Sequence, residues 1–289
     1  MREWAEYLAV VFFIKVAKIL PNKFIYFLFD KISILFFKIL KSRRNLAINN
    51  LKMAFNIDEK KATKIALESF RSIGKTISDC LILINKKANL EDFFENPSKD
   101  IEKIKKAIQN SPNGVIFFTA HFGNWEILTQ FVAKIGFPKL VIAREGNNTL
   151  IENNITFPFR HTYGNKTAYK NEAMSKMVKK LKDGGNVGLL TDLSENGISL
   201  PFFGRPAQTT KTIGLLYIKY NPKIIPIFNR RNENGKYEII IEDFIEPKLS
   251  GKKDEDVEII TKTCNDIYEK IISQSPQQWF WMHNRWKQK

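Results

Sequence analysis

The sequence predicts an α/β protein in which helices cover the faces of a β-sheet. Short apolar runs alternate along the chain with segments whose apolar residues recur at helical spacing, and this alternation is typical of a sheet with helices packed against it. Glycine and proline residues separate the two kinds of segment. No internal repeat or low-complexity linker interrupts the pattern, so we expect one catalytic domain behind an N-terminal helical region.

The N-terminal region, residues 4–40, consists of two apolar, helix-like stretches separated at Pro21 and Asn22. Charged residues interrupt them, so no window reaches the roughly 18 uncharged apolar residues of a clear transmembrane helix. Apolar helices with basic borders, here followed by 41-KSRR-44, lie in the headgroup region of anionic bilayers. We therefore predict a membrane-associated helical segment over residues 1–44, with a single tilted span as the alternative. The basic cluster would keep the catalytic domain, residues 45–289, cytoplasmic.

The remaining elements follow in order along the chain. Residues 45–90 have a helical pattern, in which Asp58 is the predicted N-cap of a helix over 58–84, and residues 86–100 are loop-like around Pro97. We predict strands at 114–119, 140–143, 187–191, 224–228 and 237–244, and helices at 127–135, 148–157, 171–182, 210–220 and 254–273. Gly136 and Gly184 follow two of these helices as stop signals.

The composition points to an anionic partner. The 289 residues carry a formal charge of +16, which favours binding to an anionic membrane, a phosphorylated substrate, an acidic protein or nucleic acid. No recognised nucleic-acid-binding motif is present, so we do not predict that partner. Cys80 and Cys264 are far apart and only three histidines occur, so the sequence predicts no His/Cys metal site and no bound cofactor.

Three polar residues follow the predicted strands, where ligands of open α/β sheets bind. His121 comes directly after the strand at 114–119, Arg160 lies in 157-FPFRHTYG-164, and Asp192 closes 187-VGLLTD-192. Without further context, Arg160 would be a surface cation and Asp192 the cap of a turn. These three positions are the candidates for a site.

His121 and Glu126 lie within the stretch 119-TAHFGNWEIL-128. Residues five apart on one helix are separated by about 140°, so their side chains would not share a face. Gly123 permits a turn that leaves His121 outside the helix, with Asn124 as its cap and Glu126 in its first turn. The predicted product is an imidazole held by a carboxylate. The alternative is that each residue serves local capping, and the spacing alone leaves both open.

No serine or cysteine lies in a G-x-S-x-G context, so His121, as a general base, would activate a hydroxyl of the substrate. Attack of a hydroxyl on a thioester also needs a donor for the tetrahedral oxyanion. Arg160 or the backbone N–H groups of the turn at Gly123 would meet that need.

The HFGNWE motif resembles the H-x4-[D/E] signature of the glycerolipid acyltransferase superfamily. Three further blocks extend the resemblance over most of the chain and make it specific for the lipid A biosynthesis (late, lauroyl/myristoyl) acyltransferases. They are 43-RRNLAINNLKMAF-55, the region from Arg160 and Asp192 to 202-FFGRPAQTT-210, and 276-PQQWFWMHNRW-286, which is similar to the family's P-x-x-W-x-W-x-H-x-R-[WF] ending.

The resemblance implies a mixed sheet flanked by helices and preceded by membrane-associated N-terminal helices. It implies transfer of an acyl chain from acyl–acyl carrier protein to a hydroxyl of an anionic glycolipid, a lipid A precursor, at the cytoplasmic face of the inner membrane. In that mechanism His121 is the general base and Glu126 its orienting carboxylate. Arg160, Asp192 and the turn residues Gly123 and Asn124 are assigned to substrate binding. The C-terminal block is expected to support the active site structurally, without a catalytic role for His283.

Other functions remain open at the level of sequence. The acceptor could be another glycolipid or a lysophospholipid, or His121 could activate water in a thioester hydrolase. A basic, non-enzymatic adaptor on an anionic membrane is the alternative from another class. The adaptor would tolerate loss of His121 and Glu126, whereas either enzyme would not.

Overall fold

The computed structural model describes residues 1–144, 146–169, 172–244 and 248–287. The helices are α1 (Arg2–Ile19), α2 (Asn22–Ile39), α3 (Lys41–Phe55), α4 (Glu59–Ile84), α5 (Pro97–Ile108), α6 (Trp125–Lys134), α7 (Thr149–Ile151), α8 (Phe157–His161), α9 (Ala173–Lys182), α10 (Thr212–Tyr220) and α11 (Lys253–Gln274). The strands are β1 (Val115–Thr119), β2 (Lys139–Ala143), β3 (Lys166–Tyr169), β4 (Asn186–Leu190), β5 (Ile198–Phe202), β6 (Arg205–Thr209), β7 (Lys223–Arg231) and β8 (Tyr237–Ile241).

The main sheet is mixed, as the resemblance implied. Its strand order is β3-β2-β4-β1-β7-β8, in which every neighbouring pair is parallel except the antiparallel pair β7–β8. The strands β5 and β6 form a separate antiparallel hairpin. The prediction of an α/β fold with helices flanking a mixed sheet is confirmed.

Helices cover both faces of this sheet, because successive side chains of a buried strand point to opposite sides. Val115 and Phe117 of β1 belong to the core that also contains residues of α5 and α6, such as Phe131. Ile116 and Phe118 of the same strand belong to the opposite core, with residues of α9, α10 and α11. A continuous apolar run is therefore what a central parallel strand requires.

The N-terminal helices α1 and α2 are separated at the predicted break. α2 is fastened to α4, since the Tyr26 hydroxyl donates to Asp79 at 2.5 Å and Arg71 Nε to Asp30 at 2.5 Å. The predicted boundary after residue 44 falls inside α3. Within the described ranges, none of the helices combines the length and the apolar content needed to cross a bilayer. The contact of α1 and α2 with a membrane stays a prediction.

Most predicted elements are found within a few residues of their expected bounds. The Asp58 side chain caps α4 by accepting from Lys61 N at 2.8 Å, as expected. Asn148 caps α7, which continues through a π-helical segment, Glu152–Thr156, into α8 and so covers the predicted helix at 148–157. The first residue of the helix predicted at 171–182, Asn171, lies outside the described residues.

The interpretation of residues 86–100 as a loop was wrong in part. Residues Leu90–Phe93 form a 3-10 turn, and α5 begins at Pro97. Proline at the first helical position lacks only an N–H that would have no partner inside the helix, so Pro97 starts this helix instead of interrupting the chain. The short strand β3 and the β5–β6 hairpin were also not predicted.

Candidate active site

The turn between β1 and α6 carries His121. Asn124 caps α6 by accepting from Ile127 N at 3.1 Å, as predicted. Gly123 has φ +60°, a conformation that side chains disfavour, and a Cβ at this position would lie 1.9 Å from the Asn229 carbonyl oxygen. The glycine is therefore required by both the backbone conformation and the close approach of β7.

Hydrogen bonds from two other parts of the chain fix this turn. Asn229 on β7 accepts from Asn124 N at 2.9 Å and donates back to the Asn124 carbonyl at 3.0 Å. On the other side, Gly123 N donates to Gln278 O at 3.0 Å and Phe280 N donates to His121 O at 3.1 Å. The backbone that carries His121 is thus held in place before any ligand binds.

Beneath the turn, a buried polar network surrounds Asp79 of α4. This carboxylate accepts from Asn124 Nδ2 at 3.1 Å, from the hydroxyls of Tyr237 at 2.7 Å and Tyr26 at 2.5 Å, and from the Arg231 guanidinium. Burial raises the pKa of Tyr237 well above its usual value, and Asp79 adds to the effect, so the phenol stays a donor. The network ties the turn that carries His121 to α2, α4 and β8, and sequence reasoning did not find it.

His121 is hydrogen-bonded to Asp192. Its Nδ1 lies 3.0 Å from Asp192 Oδ1, and its backbone N donates to Oδ2 at 2.9 Å. Trp279 Nε1 also donates to Oδ2, at 2.8 Å. Burial acts to raise the pKa of the Asp192 carboxyl, but the His121 charge and these hydrogen bonds lower it below its usual value. An ionised Asp192 holds the proton of the imidazole on Nδ1, which leaves Nε2 as the basic atom.

This pairing differs from the one expected from the sequence, in which Glu126 orients His121. The strands β1 and β4 are neighbours, with Thr119 opposite Leu190. Continuing that register by two residues brings His121 beside Asp192. The contact therefore arises from sheet order, which the local H-x4-E spacing does not contain.

Glu126 is bound to Arg160 instead. The carboxylate accepts from Arg160 Nε at 3.1 Å and from Nη2 at 2.5 Å, a two-point contact between the first turn of α6 and α8. Burial acts to lower the pKa of Arg160, but the charge and hydrogen bonds of Glu126 raise it, so the guanidinium stays charged. The structure thus brings all four predicted polar side chains together, as two pairs that sequence spacing did not indicate.

These pairs border a cleft of about 540 Å³. Its polar lining includes His121, Glu126, Arg160 and His283, and one wall is apolar. The residues of that wall lie on β2, β4 and α9, and they are Val141, Ile142, Ala143, Met174, Met177 and Leu189. A base, a fixed cation and an apolar wall suit a ligand with a polar reacting group and an aliphatic chain.

The C-terminal block 276–286 packs against the site. Here the chain forms a 3-10 turn, Pro276–Gln278, and further turns, and a bridge joins Phe122 to Trp279. Trp279, Trp281 and Arg285 are fully buried. Through Gln278, Trp279 and Phe280 the block contacts the turn that carries His121 and also Asp192, which is the structural support expected of it.

The part of the chain that the structure describes contains no group of three or more His, Cys, Asp or Glu residues arranged to hold a metal ion.

Comparison with known proteins gives a consistent result. The sequence model of the bacterial lipid A biosynthesis acyltransferase family matches residues 1–288. The chain is 25% identical over 287 residues to the lipid A biosynthesis lauroyltransferase of Escherichia coli (strain K12), covering 93% of this chain and 87% of that protein. It is 25% identical over 279 residues to the lipid A biosynthesis palmitoleoyltransferase of the same organism, covering 93% and 86%. A lipid A biosynthesis acyltransferase of Haemophilus influenzae is 24% identical over 266 residues, covering 86% and 79%.

Proposed function

The chain belongs to the bacterial lipid A biosynthesis acyltransferase family, and we propose that it moves a fatty acyl chain from acyl–acyl carrier protein to a hydroxyl of a lipid A precursor. The observation that carries this proposal is the His121–Asp192 pair at the edge of a cleft with an apolar wall. The relatives are acyltransferases of lipid A biosynthesis by name, and the pair supplies the base that such a transfer needs.

In the proposed reaction His121 Nε2 removes the proton of the acceptor hydroxyl as its oxygen bonds to the thioester carbonyl carbon. The π electrons of the carbonyl move to its oxygen, forming a tetrahedral oxyanion. When this intermediate collapses, the C–S bond breaks and the proton on His121 passes to the departing thiolate. Asp192, hydrogen-bonded to Nδ1, stabilises the imidazolium between these two steps.

Arg160 and Glu126 act in this proposal as a unit that binds substrate. Two of the guanidinium nitrogens are used by Glu126, which holds Arg160 in the cleft while its remaining N–H groups and its charge face the ligand. A charge fixed in this way favours an anionic or carbonyl-bearing group near His121. Glu126 thereby contributes through Arg160, and Gly123 and Asn124 contribute by shaping the turn.

The proposed partners agree with the charge of the chain. A formal charge of +16 attracts both an acidic carrier protein and the phosphates of a glycolipid. α1 and α2 expose large apolar side chains, which are Trp4, Leu8, Phe12, Ile19, Phe24, Phe27, Leu35, Phe36 and Ile39. Lysines border them. We propose that this N-terminal apolar surface rests on the cytoplasmic face of the inner membrane, where the lipid acceptor is found.

The test is direct transfer by the purified protein. The protein is incubated with acyl–acyl carrier protein and a lipid A precursor, and the product is identified by its mass gain of one acyl chain. His121→Ala should yield no product, because the variant lacks the imidazole that removes the proton of the acceptor hydroxyl. Free fatty acid without acylated lipid would identify a hydrolase instead, and turnover by the His121→Ala variant would remove the proposed base.

A further inference from the structure

The proposed reaction needs a hydrogen-bond donor for the oxyanion, and three backbone N–H groups of the turn that carries His121 are already committed. His121 N donates to Asp192 Oδ2 at 2.9 Å, Gly123 N to Gln278 O at 3.0 Å, and Asn124 N to Asn229 Oδ1 at 2.9 Å. Each of these bonds holds the turn or orients the base. Using one of them for the oxyanion would break the structure that positions His121.

Arg160, the other donor suggested by the sequence, is directed by Glu126. Its Nε and Nη2 both donate to that carboxylate. A donor for the oxyanion must lie 2.7–3.1 Å from the developing charge. Arg160 keeps further N–H groups for a ligand, and a second side chain with an unused N–H would add to the stabilisation of the oxyanion.

His283 is such a side chain. It lines the same cleft as His121, on the C-terminal block. Its Nδ1 is enclosed by protein and has no hydrogen-bond partner within the described ranges. The backbone around it is fixed, because Asn50 Nδ2 donates to the carbonyls of both Trp281 and His283 at 2.9 Å. A rigid segment therefore presents the ring to the cleft.

The protonation state of His283 follows from its surroundings. Burial lowers the pKa of the imidazole, and the positive charges of Arg285 and Arg43 lower it further, while Asp192 opposes them. The ring is therefore neutral near pH 7 and carries one N–H. Placing that proton on the enclosed Nδ1 would bury a donor without an acceptor, which proteins avoid. The proton therefore belongs on Nε2, the other ring nitrogen of a side chain that lines the cleft.

We infer that His283 donates its Nε2–H to the carbonyl oxygen of the acyl thioester and stabilises the oxyanion; this rests on the acyl transfer proposed above. His283 gives up no proton in the reaction. The acceptor's proton moves to His121 and then to the thiolate, while the hydrogen bond from His283 strengthens as negative charge develops on the carbonyl oxygen and weakens when the C–S bond breaks. The cleft then contains two histidines with opposite tasks, one accepting a proton and one keeping it.

The inference is tested with two variants of the full-length protein. His283→Phe keeps a ring without a donor, and it should lower kcat about 10²-fold, the effect of removing one oxyanion donor, with an unchanged KM for the acyl donor. In His283→Gln the side-chain amide can replace the Nε2–H, so this variant should retain much more activity than His283→Phe. Wild-type kcat in His283→Phe, or equal losses in the two variants, would overturn the inference.

A second measurement does not need turnover. Nitrogen chemical shifts of the labelled imidazoles report the tautomer of each histidine, with His283→Gln used to assign the signal. We expect His283 to be neutral at pH 7 with its proton on Nε2. A proton on Nδ1, or an imidazolium, contradicts the inference even if the enzyme is fully active. A wild-type protein that transfers no acyl chain would instead contradict the proposed function, so the two failures are distinguishable.

Discussion

The carboxylate on Nδ1 of His121 belongs to Asp192, 71 residues further along the chain, at an Nδ1–Oδ1 distance of 3.0 Å. The same carboxylate accepts from the backbone of His121 and from the indole of Trp279. One buried acid thus fixes the ring, the backbone and the C-terminal block at a single point. Such an arrangement positions the base more firmly than an isolated histidine–carboxylate contact.

Asp192→Asn should inactivate the enzyme while leaving its fold. The backbone N–H of His121 and the indole N–H of Trp279 require an acceptor, so the amide oxygen will turn to them and the NH2 group will face Nδ1. His121 must then carry its proton on Nε2, where it cannot accept one. The same tautomer error costs about 10⁴-fold in kcat in serine proteases, and we expect a loss of at least about 10². Acyl-transfer kinetics measure the loss of kcat, and Asp183→Asn, which changes an exposed aspartate, is the control. A kcat near wild type in Asp192→Asn would contradict the proposed orientation of His121 by Asp192.

Glu126 and Arg160 should behave as one unit. Glu126→Gln leaves Arg160 without the charge that holds it, and Arg160→Gln leaves Glu126 unpaired, so each variant loses the fixed cation in the cleft. We therefore expect the double variant to lose no more kcat than the more damaged single variant. The measurement is a double-mutant cycle on acyl transfer. Losses that add in free energy would mean that Glu126 acts independently of Arg160, for example on His121.

The sequence predicts the elements of this fold better than their arrangement. Apolar periodicity located β1, β4 and the helix that follows His121, because burial leaves a local pattern in each of them. It could not show that β4 lies beside β1, since strand order is set by packing between distant segments. That order decides which acid meets His121, so the residue types of the site were predictable and their pairing was not.

The polar network under the site shows the same limit. Asp79 is a buried carboxylate close to the buried apolar residues Leu81 and Ile82 of the same helix, and this context was its local signal in the sequence. Its partners Tyr26, Arg231 and Tyr237 come from three other elements. The fold of the C-terminal block was hidden for a related reason, because its bonds run to distant residues: Trp279 Nε1 donates to Asp192, and Gln278 O accepts from Gly123 N.

Gly123→Ala should destabilise the turn and abolish activity. A Cβ at this position meets the Asn229 carbonyl oxygen at 1.9 Å, and φ is +60°. Gly204→Ala is a matched control, because Gly204 has φ +69° but open space around its Cβ position. The control isolates the backbone cost, on the order of 1 kcal/mol; Gly123→Ala should lower the unfolding free energy by several times that amount. Urea unfolding measures the free energy of unfolding of both variants. Equal losses would show that the close approach of the Asn229 carbonyl adds nothing to the cost of the backbone conformation.

Asp100→Asn should stabilise the protein at neutral pH. Burial raises the pKa of Asp100 to about 6, and one of its carboxylate oxygens is buried without a partner. Because this folded-state pKa lies above the unfolded value near 3.9, keeping Asp100 ionised costs stability above pH 6, whereas below pH 4 the group is protonated in both states. The variant should therefore gain on the order of 1–3 kcal/mol at pH 7.5 and almost nothing at pH 4. Urea unfolding at both pH values measures this, and an equal gain at pH 4 would exclude the ionisation as its cause.

The N-terminal apolar surface should bind anionic membranes. Leu8 and Phe12 lie four residues apart on one side of α1 and are 57% and 60% exposed. Each would gain about 1.5–3 kcal/mol on full transfer from water to an apolar environment, so Leu8→Glu with Phe12→Glu should weaken binding by at least about 10²-fold. Flotation with vesicles that contain anionic lipid measures the bound fraction. Leu249→Glu, which changes an exposed leucine outside α1 and α2, is the control and should float like the wild type. Undiminished flotation of the double variant would show that this surface does not hold the enzyme on the bilayer.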